Sequence, residues 1–265
     1  MFNLIKASLY KLIREKTFIV TLIIGTILAI LLPLFMHLIF EFGGEFMIIN
    51  SVSTSNNFGL TVPINLAVMT IAEFTTGTLR NKIIAGYKRS KIYISLLVSG
   101  LVFTIFLMFY YISINILMGS ILGGFDANRV GGASFIWKFL LLVTCSYIFV
   151  TTLSLFVSSS LRNIGLALPI IIILLVFLSL IPTFVLVGNL NSSEETFETT
   201  NTILRWLVPL YSMNEVTANS ILAEVFAAKA STFNKVILPG TICSLVYSAA
   251  FVALGIFVFN KRDVK

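Results

Sequence analysis

The residues in this chain whose types and spacing could do chemistry are concentrated between Glu73 and Lys91, reading EFTTGTLRNKIIAGYKRSK. One carboxylate is followed by five of the chain's eighteen basic side chains, Arg80, Lys82, Lys88, Arg89 and Lys91. Such a run attracts and seats an acidic partner; it does not make or break bonds, because it contains no nucleophile with a base, no paired acids and no metal-binding constellation. The single histidine, His37, stands near the end of an apolar run with no HExxH pattern and no acid pair beside it. Cys145 and Cys243 lie inside apolar runs away from any metal-ligand spacing, so they read as packing residues, and sequence cannot say whether they pair. No GxxxxGK[ST] phosphate loop occurs, so the chain is not expected to hydrolyse nucleotide by that route.

The elements that must position this loop are long and apolar. With 58% hydrophobic and 11% charged residues and a mean hydropathy of +1.02, there is too little polar surface to coat a soluble globule. A hydrocarbon core of about 30 Å needs roughly 20 apolar helical residues. Six stretches meet or approach that length: Thr17 to Phe40, Phe58 to Phe74, Ile92 to Leu122, Phe135 to Ser158, Ile164 to Gly188 and Val236 to Phe259. Backbone groups in lipid must be satisfied within the segment, and the runs are too long for barrel strands, so the expected fold class is all-α, a single polytopic membrane domain. The first run is longer than the apolar part of a signal peptide and lacks a cleavage pattern, so it is expected to remain.

Basic residues near span ends stay cytoplasmic. Lys6, Lys11, Arg14, Lys16, the five in the loop, Arg162, Lys261, Arg262 and Lys265 fall on one side. Arg129, Lys138, Arg205, Lys229 and Lys235 fall on the other with most of the acids. Both termini are therefore expected in the cytoplasm. Topology accounts for the net charge of +7 without a nucleic-acid partner. The middles of the spans carry no ionisable residue, which disfavours a carrier driven by an ion gradient and directs attention to an energy source outside the chain.

Residues 1–16 read as a surface helix with Phe2, Ile5, Leu9, Leu12 and Ile13 on one face and Asn3, Lys11, Arg14 and Glu15 opposite, a pattern that Leu4 breaks. It is either an amphipathic elbow bracing the first span or a basic flank that is merely helical. Glu41 to Asn57 reads as an acidic, then Ser- and Asn-rich outer connection. Gly119 and Gly123 make a GxxxG spacing, followed by Gly124 and Asp126. The longest exposed region, Asn189 to Lys235, reads as a polar loop, then an apolar part with Trp206, Leu207, Leu210 and Tyr211, then a helical stretch from Asn214 to Ala230. It either rests in the headgroup zone or forms a small cap packed on itself. Asn191 in the NSS triplet fits a glycosylation pattern.

Within the basic loop, helix-compatible residues run from Thr78 to Ala85 and again from Ser90, broken by Gly86. Taken alone, this is a solvated loop attracted to anionic lipid. The order Glu73, Gly77, Thr78, Leu79, Arg80, Asn81, Lys82, then Gly86, Tyr87, Lys88, Arg89, Ser90 and Tyr93 resembles the segment after the second span in permease subunits of type 2 ABC exporters. The layout of the whole chain is similar too, from the elbow to the outer region before the last span. The resemblance implies that residues 75–91 form a coupling helix touching a separate ATP-binding-cassette ATPase, with Arg80, Lys82 and Arg89 helping to seat it. It implies pairing with a second copy or a sister permease, and no cofactor in this chain, ATP and Mg being bound by the partner subunit. A substrate path at the permease interface would involve Asn65 and Met69, or Leu168, Pro169 and Ile172. Permeases of this size resemble bacterial plasma-membrane systems that export toxic or antimicrobial peptides, and apolar spans with 24 Phe suit amphipathic peptide cargo as well as they suit lipid. The other class of function compatible with the loop is a non-transporting membrane scaffold or sensor that docks a soluble regulator.

Overall fold

Apolar runs of this length fold as helices because each backbone amide then bonds within its own segment. The computed structural model describes residues 2–40, 57–122, 133–161, 163–188, 194–216 and 233–261. In chain order the helices are α1 (Phe2–Arg14), α2 (Lys16–Phe40), α3 (Asn57–Thr75), α4 (Thr78–Ile84), α5 (Arg89–Leu122), α6 (Ala133–Leu161), α7 (Ile164–Gly188), α8 (Glu194–Leu207) and α9 (Phe233–Lys261), with a further helical turn at 211–216. Among the described residues there is no strand.

Among the described residues five helices, α2, α5, α6, α7 and α9, are long and apolar enough to cross a bilayer. The stretch expected as a second span is helical as α3, but its apolar part, Thr61–Thr75, is shorter than the rest. At about 1.5 Å per residue, the 34 residues of α5 extend roughly 50 Å, well beyond a hydrocarbon core of about 30 Å. Part of the helix therefore extends past the lipid core.

Helix α6 is the centre of the bundle, packed by α9, α3, α7 and α5, with 72% of its apolar window buried against 17% for α7. The chemistry of α6 explains why this helix takes the middle. Ser146, Thr151, Thr152, Ser154, Ser158 and Ser159 are all buried. Thr151 Oγ1 donates to the Tyr147 carbonyl at 2.8 Å, Ser154 Oγ to Val150 at 2.7 Å and Ser158 Oγ to Ser154 at 2.6 Å. A small hydroxyl satisfied by its own helix lets neighbouring backbones approach without leaving a polar group unpaired in an apolar medium. Between helices, Thr104 and Thr151 hydroxyls meet at 2.9 Å across α5 and α6, and Thr26 meets the Tyr110 hydroxyl at 3.0 Å across α2 and α5.

The outer helices turn apolar side chains away from the protein. Ile23, Leu31 and Phe35 on α2, Ile173 and Phe177 on α7 and Val246 on α9 are all more than half exposed. Water would not tolerate such continuous faces on a monomer, and hydrocarbon does. The chain is a helical membrane protein. Cys145 and Cys243 are buried and free.

Glycine makes close crossings possible, two of them against tyrosines. A Cβ on Gly255 of α9 would enter the phenol ring of Tyr93, and one on Gly25 of α2 would meet the Tyr111 hydroxyl. Tyr93 is almost wholly buried, its ring tilted against that of Phe259 with centroids 5.5 Å apart. Gly255→Ala is expected to destabilise the protein by about 1–3 kcal/mol, the usual effect of overpacking. Thermal unfolding in detergent measures this, and adding Tyr93→Leu, which vacates the collision, should recover part of the loss; equal melting of Gly255→Ala and the parent would show that the crossing is loose.

Helix α1 presents Leu4, Ser8 and Leu12 to the bundle. Leu4, the residue that broke the sequence pattern, is thus an anchor. Phe2 and Ile13 on the neighbouring arc remain exposed, so the apolar side of α1 is divided between protein and surroundings. The Glu41 to Asn57 connection up to residue 56, Gly123, Gly124, Asp126, Arg162, Asn191 and the stretch from 217 to 230 lie outside the described residues.

Candidate functional site

The segment after α3 is shaped by two glycines. Helix α3 ends at Thr75, and Gly77 turns the chain with φ 68°, in the left-handed region where an L side chain is strained. Nine residues later, after the seven-residue α4, the chain turns again at Gly86, φ 86°. The Gly86 amide bonds the Ile83 carbonyl at 2.9 Å and the Tyr87 amide bonds Lys82 at 3.2 Å, the paired closure of a Schellman motif. A short helix is thereby fixed between two turns.

What holds α4 against the bundle is Glu73, 2% exposed at the end of α3. Its Oε2 accepts Lys82 Nζ at 2.7 Å and Thr78 Oγ1 at 3.0 Å, while Oε1 lies 3.7 Å from Lys11 Nζ of α1. One carboxylate thus ties together α1, α3 and α4. Leu79 inserts beneath α4 into a cluster with Ile92, Tyr93 and Phe259. The start of α5 is fastened to the end of α9, where Arg89 Nη1 donates to the Asn260 carbonyl and Ser90 Oγ to Asn260 Oδ1, both at 3.1 Å.

These contacts divide the residues singled out in the sequence. Lys82 and Arg89 are bound within the chain, as are Glu73, Thr78 and Leu79. Gly77 and Gly86 shape the turns. Arg80 and Asn81 face outward, joined by Ile84, Tyr87, Lys88 and Lys91. An exposed face of mixed apolar and cationic character results, with Ile84 74% exposed. The link from Lys11 to Glu73 had no sequence signal, since 62 positions separate them.

Asn65 and Met69 are buried within the bundle. Asn65 Nδ2 donates to Thr21 Oγ1 at 2.8 Å and to the Thr61 carbonyl at 2.7 Å, joining α3 to α2. Leu168 and Ile172 are half-buried and Pro169 is exposed on α7; Leu168 packs against the same core cluster that contains Met69. Among the described residues no group of three or more His, Cys, Asp or Glu could hold a metal ion.

At the opposite end, residues 194–216 form a cap. Residues 194–207, most of them read as a polar loop from their sequence, are the helix α8. Arg205 grips Glu215 with two bonds, Nε to Oε2 at 2.9 Å and Nη2 to Oε1 at 2.7 Å, both side chains nearly inaccessible. Burial pulls the Arg205 guanidinium down, and Glu215's hydrogen bonds and charge outweigh it, leaving the group above its ordinary pKa. Tyr211 donates to Asn201 Oδ1 at 2.6 Å, its phenol held high by burial and then by the Glu215 charge. The cap is docked to α9 by Lys235 on Glu198 at 2.9 Å and by the Tyr247 hydroxyl on the Leu207 carbonyl at 3.0 Å. Residues 194–216 pack on one another, with Trp206 and Leu207 on the outer side.

No family model, curated protein or solved structure matches this chain.

Proposed function

We propose that this chain is the membrane-spanning permease subunit of an ATP-driven exporter, with α3 completing a set of six spans, α1 acting as the elbow and α4 as the coupling helix. Two permeases, identical or sister chains, would each engage a separate ATPase subunit and move hydrophobic or amphipathic peptides across a bacterial plasma membrane. The observation that carries this reading is the way α4 is built: a short helix fixed at both ends by left-handed glycines and locked from beneath by Glu73, while Arg80, Asn81, Ile84, Tyr87 and Lys88 are left outward. A solvated topogenic loop has no need of a buried ion pair, which must offset the desolvation of two charges; a lever that transmits force does need rigid seating.

The test is to replace the outward face alone, Arg80→Glu with Ile84→Ser, leaving Glu73, Thr78 and Lys82 intact. Purification from the native host in mild detergent should then yield the permease without the ATPase that accompanies the parent, and peptide export should fall by an order of magnitude or more, as expected when central apolar and Arg contacts of an interface are lost. A parent chain that purifies alone or with a partner lacking ATPase activity would instead establish the scaffold reading.

A further inference from the structure

Between the end of α1 and the start of α2 lies an open pocket of about 550 Å³ lined by Tyr10, Lys11, Arg14, Glu15, Lys16 and Thr17. We propose that this pocket is a binding site for the headgroup of an acidic phospholipid. The inference needs only the membrane location of the chain and is independent of any ATPase partner.

The lining supplies what a phosphate ester requires. Arg14 and Lys16 bring two cations beside the carboxylate of Glu15, and Lys11, which also faces Glu73, adds a third. Arg14 is held at 4.4 Å over the Tyr10 ring, which orients its guanidinium at the rim. Among the described residues, the buried Lys11 Nζ makes no hydrogen bond and lies 3.7 Å from Glu73, and the buried Thr17 Oγ1 has no hydrogen-bond partner. Lys11 lines the pocket from α1 and Thr17 from α2, so polar side chains border it on both sides of the elbow. The first turn of α2, a 25-residue helix, adds the positive end of its dipole. Glu15 contributes one acceptor, suited to a headgroup hydroxyl and unsuited to a second phosphate.

The surroundings favour a lipid over a soluble phosphate ester. On either side of the elbow the exposed side chains are apolar: Ile13 on α1, and Ile19, Val20 and Ile23 on α2, each more than half exposed. A headgroup in the pocket would have its acyl chains along this strip, in the manner of basic interfacial pockets that take anionic headgroups.

The full-length chain, purified in detergent and offered equal phosphatidylglycerol and phosphatidylcholine of the same acyl chains, should retain one phosphatidylglycerol by native mass spectrometry. Arg14→Gln with Lys16→Gln should weaken that retention roughly tenfold or more, while Arg14→Lys with Lys16→Arg should preserve it and show that the elbow tolerates substitution. Lys88→Gln with Lys91→Gln, which removes equal charge from the basic loop, should leave it unchanged. Equal retention of the two lipids, equal loss in the elbow and loop variants, or binding of glycerol 1-phosphate as tight as that of the lipid would each overturn the proposal.

Discussion

Glu73→Ala is expected to release α4 from the bundle. The substitution leaves two ammonium groups, Lys82 and Lys11, without the carboxylate that they share, and Lys82 is only 15% exposed. Removing one partner of a buried pair costs about 3–5 kcal/mol, because the remaining charge stays desolvated. The loss falls locally, since α4 is joined to the rest by Glu73, Leu79 and its two turns. Amide protection across 78–87 should drop by roughly a hundredfold, the lower end of that range expressed as an equilibrium constant. Trypsin should then cut after Arg80 or Lys82 with the spans still intact. Glu73→Gln with Lys82→Met removes both charges and should be milder than Glu73→Ala. Unaltered protection in Glu73→Ala would mean that Leu79 and the glycine turns alone hold the helix.

Arg205→Ala is expected to be as severe at the other end. The Glu215 side chain, 2% exposed, would be left with no guanidinium, again about 3–5 kcal/mol. The neighbouring Tyr211 to Asn201 bond spans the same gap between α8 and the turn at 211–216, so its register would go too. The cap is seated on α9, and thermal unfolding in detergent should show an earlier transition. Arg205→Met with Glu215→Leu should recover most of the loss, since an apolar pair of similar volume replaces two desolvated charges. Full stability in the single variant would show that water reaches Glu215. The exposed Glu198 to Lys235 pair offers a contrast. Lys235 lowers the Glu198 pKa by its hydrogen bond and charge, so its contribution is present above the ordinary carboxylate range and disappears as pH falls through the lowered value. Because the pair is solvated, its removal should change stability little.

Much of the candidate site was legible in the sequence because its signals are local. Gly77 and Gly86 stand where the chain must adopt a left-handed conformation, and the intervening TLRNKII has helical propensity, so the break at Gly86 needs no tertiary information. The roles of the cations were not legible. Lys82 and Arg80 are two residues apart and look alike in sequence, yet one is buried on Glu73 and the other faces outward, because residues two apart project about 200° apart around a helix. Helix α8 was hidden for a related reason. Its Thr and Asn residues are poor helix formers, and the helix is anchored through Asn201 and Arg205 by partners ten residues further on.

The sequence by itself determined that this is a helical membrane protein, since apolar runs of such length must bond their own backbone in lipid. It determined also the break at Gly86 and that its positive charge gathers in a few segments. Only the tertiary structure decided which apolar helix is central and which charges are internal. Hydropathy does not separate α6 from α5, both of them strongly apolar, and what puts α6 in the middle is the fit of its small hydroxyls, most of them bonded to their own helix, against four neighbours. Likewise Lys11 and Glu73 become partners only when α1 folds back along the bundle on Leu4 and Leu12, because an ion pair depends on separation in space and carries no periodicity along the chain.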